Sequence, residues 1–305
     1  MPAPDAITLK KAIPTASPDG ILVVDKPAGP TSFDVVHKLR KSLNTREIGH
    51  CGTLDPLASG VIVVCVGRYT RLVRFLTSDD KHYTARVTFG FSTPTFDLES
   101  EADARGDHTL VTEEALRALL SSMKGTVSQV PPMHSAIQKD GERLYAKARR
   151  GEVVDVDARD VVVHGLTLVS FERGETETVA VIDAAVGKGF YVRSLARDLG
   201  EALGCPSHLS GLRRTASGAF TLDDAVTLEA SRDPALALSL LKRGPAAIRG
   251  MSRVDVDDAT AAALRQGRRP ATTLTGTNLL ACVGEDIVAV VDVVDGALHS
   301  VRGFG

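Results

Sequence analysis

Three observations on the 305 residues predict an α+β fold around a largely antiparallel sheet. Tyr83, Ala85, Val87, Phe89 and Phe91 alternate with Thr84, Arg86, Thr88 and Gly90, the pattern of a strand with one buried face. Two apolar stretches, 161–171 and 178–186, are joined by Glu172-Arg173-Gly174-Glu175 and read as a hairpin. Amphipathic helical stripes are mixed with these strands, and no repeat at a solenoid period is present.

Residues 1–19 are rich in Pro and Ala without periodicity and are expected to form a flexible tail. Residues 21–24 form a short strand. Thr31 or Ser32 then caps a helix on which Phe33, Val36, Leu39 and Leu43 are expected to share one face. Lys38 and Lys41 point away from that face, as solvated surface or as phosphate contacts. The unbroken apolar run 61–66 reads as a buried strand. Arg68, Arg71 and Arg74 recur every third residue, either as a phosphate track or as plain surface charge.

After the 83–91 strand, the acidic, Gly-containing stretch 99–107 is a loop. Leu116, Leu119, Leu120 and Met123 mark an amphipathic helix ending at Gly125. Beyond the hairpin, Val192, Leu195, Ala196, Leu199 and Leu203 form a second helical stripe, and helix resumes at 234–241. After Gly250 the character changes to a short helix and strands near 279–283 and 287–294, a small β-rich module. The predicted division is a tail at 1–19, a main domain at 20–248 and the small module at 249–305.

With 43% hydrophobic residues the chain can bury the core of one large domain with an appendage. Its 36 basic and 38 acidic residues argue against a general nucleic-acid coat but leave room for local basic tracks. The apolar runs are too short for a membrane span, and the N-terminus lacks a charged-then-apolar signal pattern. A cytoplasmic protein without membrane attachment is expected. Cys51, Cys65, Cys205 and Cys282 lie far apart, which suggests neither a zinc ribbon nor a disulfide framework. No phosphate-binding loop or dinucleotide fingerprint appears.

The densest chemistry is at 48–60, Ile-Gly-His-Cys-Gly-Thr-Leu-Asp-Pro-Leu-Ala-Ser-Gly. Gly49, Gly52 and Gly60 permit tight turns or close approach, and Pro56 drives Asp55 toward extended geometry. Asp55 is thus a lone acid on a constrained loop beside a core strand. On spacing alone it is either a turn residue capping its own backbone or a reacting group. Cys51, four residues upstream, is either a thiol nucleophile or a small loop residue.

This segment closely resembles the catalytic motif of the TruB family of tRNA pseudouridine synthases. Val24-Asp25-Lys26-Pro27-Ala28-Gly29-Pro30-Thr31-Ser32 resembles the family's other N-terminal motif, in the family's order. Gly187-Lys188-Gly189-Phe190-Tyr191-Val192-Arg193-Ser194, Lys81-His82-Tyr83 and Pro131-Pro132-Met133-His134-Ser135-Ala136 resemble further signatures. The resemblance spans about 20–245 and implies a pseudouridine synthase-like catalytic domain. The tail after Gly250 faintly resembles a PUA-type RNA-binding module.

The resemblance implies roles residue by residue. Asp55 is the catalytic carboxylate, and Arg193 is the guanidinium that pairs with it. Tyr83 stacks on the extruded uracil and helps remove the ring proton. His50 enters the T-loop where the flipped base was stacked. Leu212, in Gly211-Leu212-Arg213-Arg214-Thr215, lines the base pocket, while Arg213 and Arg214 meet phosphates or anchor the segment. Lys26 and Lys81 count among the substrate-binding positions, Lys26 chiefly by fixing architecture. A carboxylate–guanidinium bond is worth about 1.5–3 kcal/mol, so losing Arg193 is expected to cost catalysis more than folding. Converting uridine to pseudouridine gains no atoms or electrons, so no cofactor or metal is expected.

The implied partner is tRNA, gripped at its T-arm and T-loop by a monomer with no obligate protein partner. A role in assisting tRNA folding is also implied. Three positions depart from the family pattern. His134 stands where Tyr is usual, and Cys51 where Thr or Ala is usual. Ser92-Thr93-Pro94-Thr95-Phe96-Asp97-Leu98-Glu99 departs from a Thr-Asp-Thr pattern in a mobile RNA-gripping region. Rival readings are an RNA-folding protein without chemistry, a guide-RNA-dependent relative and an aspartate-dependent hydrolase. The intact Asp55, Tyr83 and Arg193, the compact tail and the lack of a second carboxylate or metal constellation weigh against them in turn.

Overall fold

A computed structural model describes residues 18–77, 80–133, 135, 138–139, 141–143, 150, 152 and 154–304. The described order is β1 (Gly20–Lys26), α1 (Ser32–Ser42), β2 (Ile48–His50), β3 (Ala58–Val66), β4 (Lys81–Phe89), α2 (Glu113–Ser122) and β5 (Gly125–Gln129). There follow β6 (Arg159–Arg173), β7 (Thr178–Val186), α3 (Val192–Leu203), β8 (Ser207–Ser217), β9 (Phe220–Thr221), β10 (Val226–Thr227) and α4 (Pro234–Ser239). The small module holds β11 (Arg253–Asp255), α5 (Asp258–Arg265), β12 (Leu279–Val283), β13 (Asp286–Val294) and β14 (Ala297–Gly303).

The large sheet has ten strands in the order β10-β1-β3-β8-β4-β7-β6-β5, with β2 beside β3 and β9 beside β8. All these neighbours are antiparallel except β10–β1 and β3–β8. The second sheet, β11-β12-β13-β14, is the predicted small β-rich unit.

The uninterrupted apolar run at 61–66 has a direct structural cause. Ile62, Val64 and Val66 face α1 and α4 in one core cluster, with Leu22 and Val24 of β1. Val61, Val63 and Cys65 face the other way with Ile21 and Val23, and pack against Leu280, Cys282, Ile287, Val290 and Phe304 of the small module. A strand covered on both faces has no polar positions to alternate with. Farther along the sheet, α2 and α3 bury Leu116, Leu120, Leu195 and Leu199 against β4, β6 and β7.

Several expectations need correcting. α1 buries Ser32, Val35, Val36, Leu39 and Ser42, whereas Phe33 stands 64% exposed. At about 100° per residue, Phe33 lies roughly 120° round the helix from Leu39, so a stripe drawn through both is too wide for one buried face. Arg68, Arg71 and Arg74, open to either reading as a phosphate track or as surface charge, each make contacts within the protein. Arg68 pairs with Asp19 at 2.6 Å, Arg71 reaches the Gly303 carbonyl at 3.4 Å and Arg74 the Val301 carbonyl at 3.5 Å. Residues 1–17 of the predicted tail lie outside the described residues, as does His134 of the 131–136 motif. Among the described residues, no helix is long and apolar enough to cross a membrane.

Candidate active site

Residues 51–57 form a loop between β2 and β3, and their backbone is tied down from several sides. Ser32, at the start of α1, donates its hydroxyl to the Leu54 carbonyl at 2.9 Å and accepts from the Leu54 N–H at 2.7 Å. The Gly29 N–H donates to the Pro56 carbonyl at 2.8 Å. The two N-terminal motifs are therefore one structural unit. Beneath them, the buried guanidinium of Arg214 donates to the carbonyls of Val61 (2.7 Å), Gly52 (3.1 Å) and Thr53 (3.3 Å). Gly60 holds φ +104°, and a Cβ there would fall on the Arg214 backbone, so this crossing of β3 and β8 requires glycine.

On this fixed loop, Asp55 presents a carboxylate whose side chain is 37% exposed. Its Oδ2 lies 2.9 Å from Nε of Arg193, in the first turn of α3. Burial among the cleft walls pushes the Asp55 carboxyl above its ordinary range, the charge of Arg193 opposes that shift, and the nearby Asp97 reinforces it. Arg193 itself is buried, and its Nη1 donates to the Thr95 carbonyl at 3.3 Å.

Asp97 is the residue that sequence reasoning missed. Its carboxylate lies 3.6 Å from Arg193 Nε and is only 1% exposed. Oδ1 accepts from the Glu99 N–H, while the buried Oδ2 has no hydrogen-bond partner. The Thr93 hydroxyl donates to the Asp97 carbonyl, and the backbone at 96–97 pairs with Leu209 of β8. One guanidinium thus stands between two carboxylates, one reachable and one sealed. The only hint in the sequence was an acid in the segment that departs from the family pattern.

The other predicted residues divide into three groups. Lys26 closes β1 beside Asp55, with Nζ donating to the carbonyls of Pro27 (3.0 Å) and Pro30 (2.7 Å). Burial lowers its pKa to about 8, partly offset by the Asp55 charge. Tyr83 and Leu212 are partly buried and pack with Leu57 and Phe190 on one core cluster, an apolar wall across β4 and β8. His50 and Lys81 lie on the Arg214 side. Burial pulls the His50 imidazole below its ordinary range, with the Arg214 charge adding to that, and its Nδ1 is buried without a partner. The Lys81 ammonium donates to the Thr77 carbonyl at 2.9 Å.

Arg213 and Arg214 are both anchors. Arg213 forms a two-pronged pair with Asp25 of β1 at 2.8 and 3.1 Å, while Arg214 holds the loop. Cys51 is fully buried with its sulfur 3.6 Å from that of Cys65, which removes it as a nucleophile. Tyr191 precedes the first turn of α3, and burial raises its phenol, with the charge of Arg193 acting the other way.

The sheet, with the carboxylate–guanidinium pair beside it, has the pseudouridine synthase fold. The fold is shared with the solved Cbf5-Nop10-Gar1 complex, at TM-score 0.71 and 24% identity over 94% of this chain and 85% of that one. It is likewise shared with an H/ACA RNP bound to a substrate RNA containing 2'-deoxyuridine, at TM-score 0.70 and 23% identity over 94% and 85%. Residues 40–192 match the TruB family pseudouridylate synthase N-terminal domain, and 193–239 match the tRNA pseudouridylate synthase B C-terminal domain. The chain belongs to the TruB family and is an isomerase of that class. It is 40% identical to tRNA pseudouridine synthase B of Deinococcus radiodurans, over 89% of this chain and 95% of that protein. It is 45% identical to the protein of that name from Thermobifida fusca, over 69% and 73%.

Proposed function

We propose that the chain converts the T-loop uridine at tRNA position 55 to pseudouridine, with Asp55 as the acting carboxylate. The observation that carries this reading is a reachable loop carboxylate held at 2.9 Å by a buried guanidinium. Its TruB membership and the relatives named tRNA pseudouridine synthase B support the choice of substrate. In this reading the enzyme acts as a cytoplasmic monomer, without a protein partner, guide RNA or cofactor, and also assists tRNA folding.

The reaction breaks the bond between uracil N1 and ribose C1′, turns the base and joins C5 to C1′. N1 gains a proton and C5 loses one, so atoms and electrons balance. A stacked base is out of reach of Asp55, so the uridine must be flipped at a cost of a few kcal/mol. Stacking on Tyr83 returns about 1–3 kcal/mol, and Leu212 extends that wall. His50 takes the place the base leaves in the T-loop. Arg193 orients Asp55, and Lys26 adds positive charge from below. Recognition of the T-arm rests chiefly on shape and backbone. Residues 20–248 form the catalytic unit and 249–305 a PUA-like accessory module, a division supported by the separate four-stranded sheet.

The test is tritium release from unmodified tRNA labelled at uracil C5, with wild type beside Asp55→Asn. Release by wild type alone is expected. Equal release from both proteins removes Asp55 from the mechanism, and release that survives replacing U55 by another base removes the assigned position.

A further inference from the structure

The outward face of α1 is unaccounted for by the catalytic geometry. Phe33, His37, Arg40 and Lys41 follow one another at helical spacing, and Asn44 and Arg46 lie past the helix end. Together with Thr45, all but Phe33 line one shallow open cavity. Phe33 is the most exposed of the large apolar side chains, and the Arg40 guanidinium sits 6.0 Å from its ring centroid. Arg40 Nε is buried and has no hydrogen-bond partner. None of Lys38, Arg40, Lys41 and Arg46 forms an ion pair with a described carboxylate. Asp34, the acid on the helix itself, is occupied by the Thr31 cap.

A helix C-terminus attracts cations, which accounts for Arg40 and Lys41 as a surface feature. It does not account for an exposed aromatic ring about two helical turns before the first of them, nor for Arg46 beyond the end. In a chain of net charge −2, four cations left without carboxylate partners beside an exposed ring make a local anion-binding surface with a stacking platform. Phosphodiesters and unstacked bases match both components.

We infer that this face of α1 is a second grip on the tRNA, with Lys41 and Arg46 meeting backbone phosphates and Phe33 stacking on a base. The inference rests on the reading of the chain as a tRNA-modifying enzyme. Position supports it. Ser32, the residue before Phe33, is bonded to the loop that carries Asp55, and the 11 residues of α1 extend about 16 Å from there. The row therefore begins beside the catalytic loop and leads outward. RNA held along it is tied to the same rigid unit that presents the carboxylate.

The test is equilibrium binding of an unmodified tRNA transcript across a salt series, read without turnover. Lys41→Gln/Arg46→Gln is expected to weaken binding at least tenfold at low salt and to reduce the slope of log affinity against log salt by about 2. Phe33→Ala is expected to weaken binding about tenfold with the salt slope unchanged. Lys41→Arg/Arg46→Lys keeps the charges and should retain wild-type affinity, which separates charge from folding. Unchanged affinity and slope in the first variant overturn the inference, as they would if the face served a protein. So does equal loss in the charge-keeping variant. Tritium release is scored separately: a wild type that binds in this way but releases no tritium leaves the grip standing and refutes the proposed reaction.

Discussion

Replacing Arg193 by Met should unfold the protein more readily as well as slow it, contrary to the expectation from sequence. The guanidinium is almost fully enclosed and serves two acids. Asp55 is partly open to water, which can take over its solvation. Asp97 is sealed, and its Oδ2 has no hydrogen bond to fall back on. Deleting one partner of such a buried pair costs about 3–5 kcal/mol, a large part of the ~5–15 kcal/mol typical of a folded chain. Turnover should fall by about 10- to 150-fold, the equivalent of one lost charge-assisted hydrogen bond of about 1.5–3 kcal/mol. Adding Asp97→Asn removes the stranded charge. It should restore at least about 2 kcal/mol of stability and little turnover, because Asp55 still lacks its orienting partner. Urea denaturation of the four proteins of this cycle, with single-turnover tritium release, gives both numbers. The reasoning is refuted if Arg193→Met costs less than about 1 kcal/mol, or if Asp97→Asn recovers turnover along with stability.

Three further outcomes follow from the same site. Because Asp55 acts ionised and its carboxyl is pushed above the ordinary range, the single-turnover rate should fall as pH drops through a midpoint above the usual ~3.9 of Asp; a midpoint at or below that value contradicts the assignment. With Lys26 lowered to about 8, the unfolded chain binds more protons than the folded one between about pH 8 and the ordinary lysine value of 10.5. Stability of the wild type relative to Lys26→Met should therefore rise across that window, and a flat difference in thermal melting would refute it. Gly60→Ala puts a methyl group onto the Arg214 backbone at a φ of +104°, so it should destabilise by several kcal/mol, on the order of 3 or more. A soluble variant melting within a few degrees of wild type would refute that reading.

How far the sequence was legible varies from element to element. The 83–91 alternation was readable because α2 and α3 cover the face of β4 that carries Ala85, Val87 and Phe89, while Arg86 on the other face is exposed. The 61–66 run was readable as buried but silent on what buries it, since the residues from 280 onward supply one side. β8 went unassigned although it is central in the sheet. His208, Ser210, Arg213 and Arg214 disguise it, and each is satisfied by a distant group: the Phe91 carbonyl, Thr88, Asp25 and the loop carbonyls. Such partners are invisible to periodicity. At the site, the resemblance supplied Asp55 and Arg193 and the structure pairs them. Asp97 was not legible because its approach depends on the 96–97 backbone meeting β8, a contact made across more than a hundred residues.

The face of β1 and β3 that is filled by Leu280, Cys282, Ile287, Val290 and Phe304 sets a timetable for biosynthesis. A ribosome makes Ile21 and Val23 long before the side chains of the small module that cover them. Until then the strands flanking the catalytic loop carry a bare apolar face, and the nascent chain is exposed to sticking to its neighbours. A product stalled before residue 280 would keep that face bare and would be prone to aggregate.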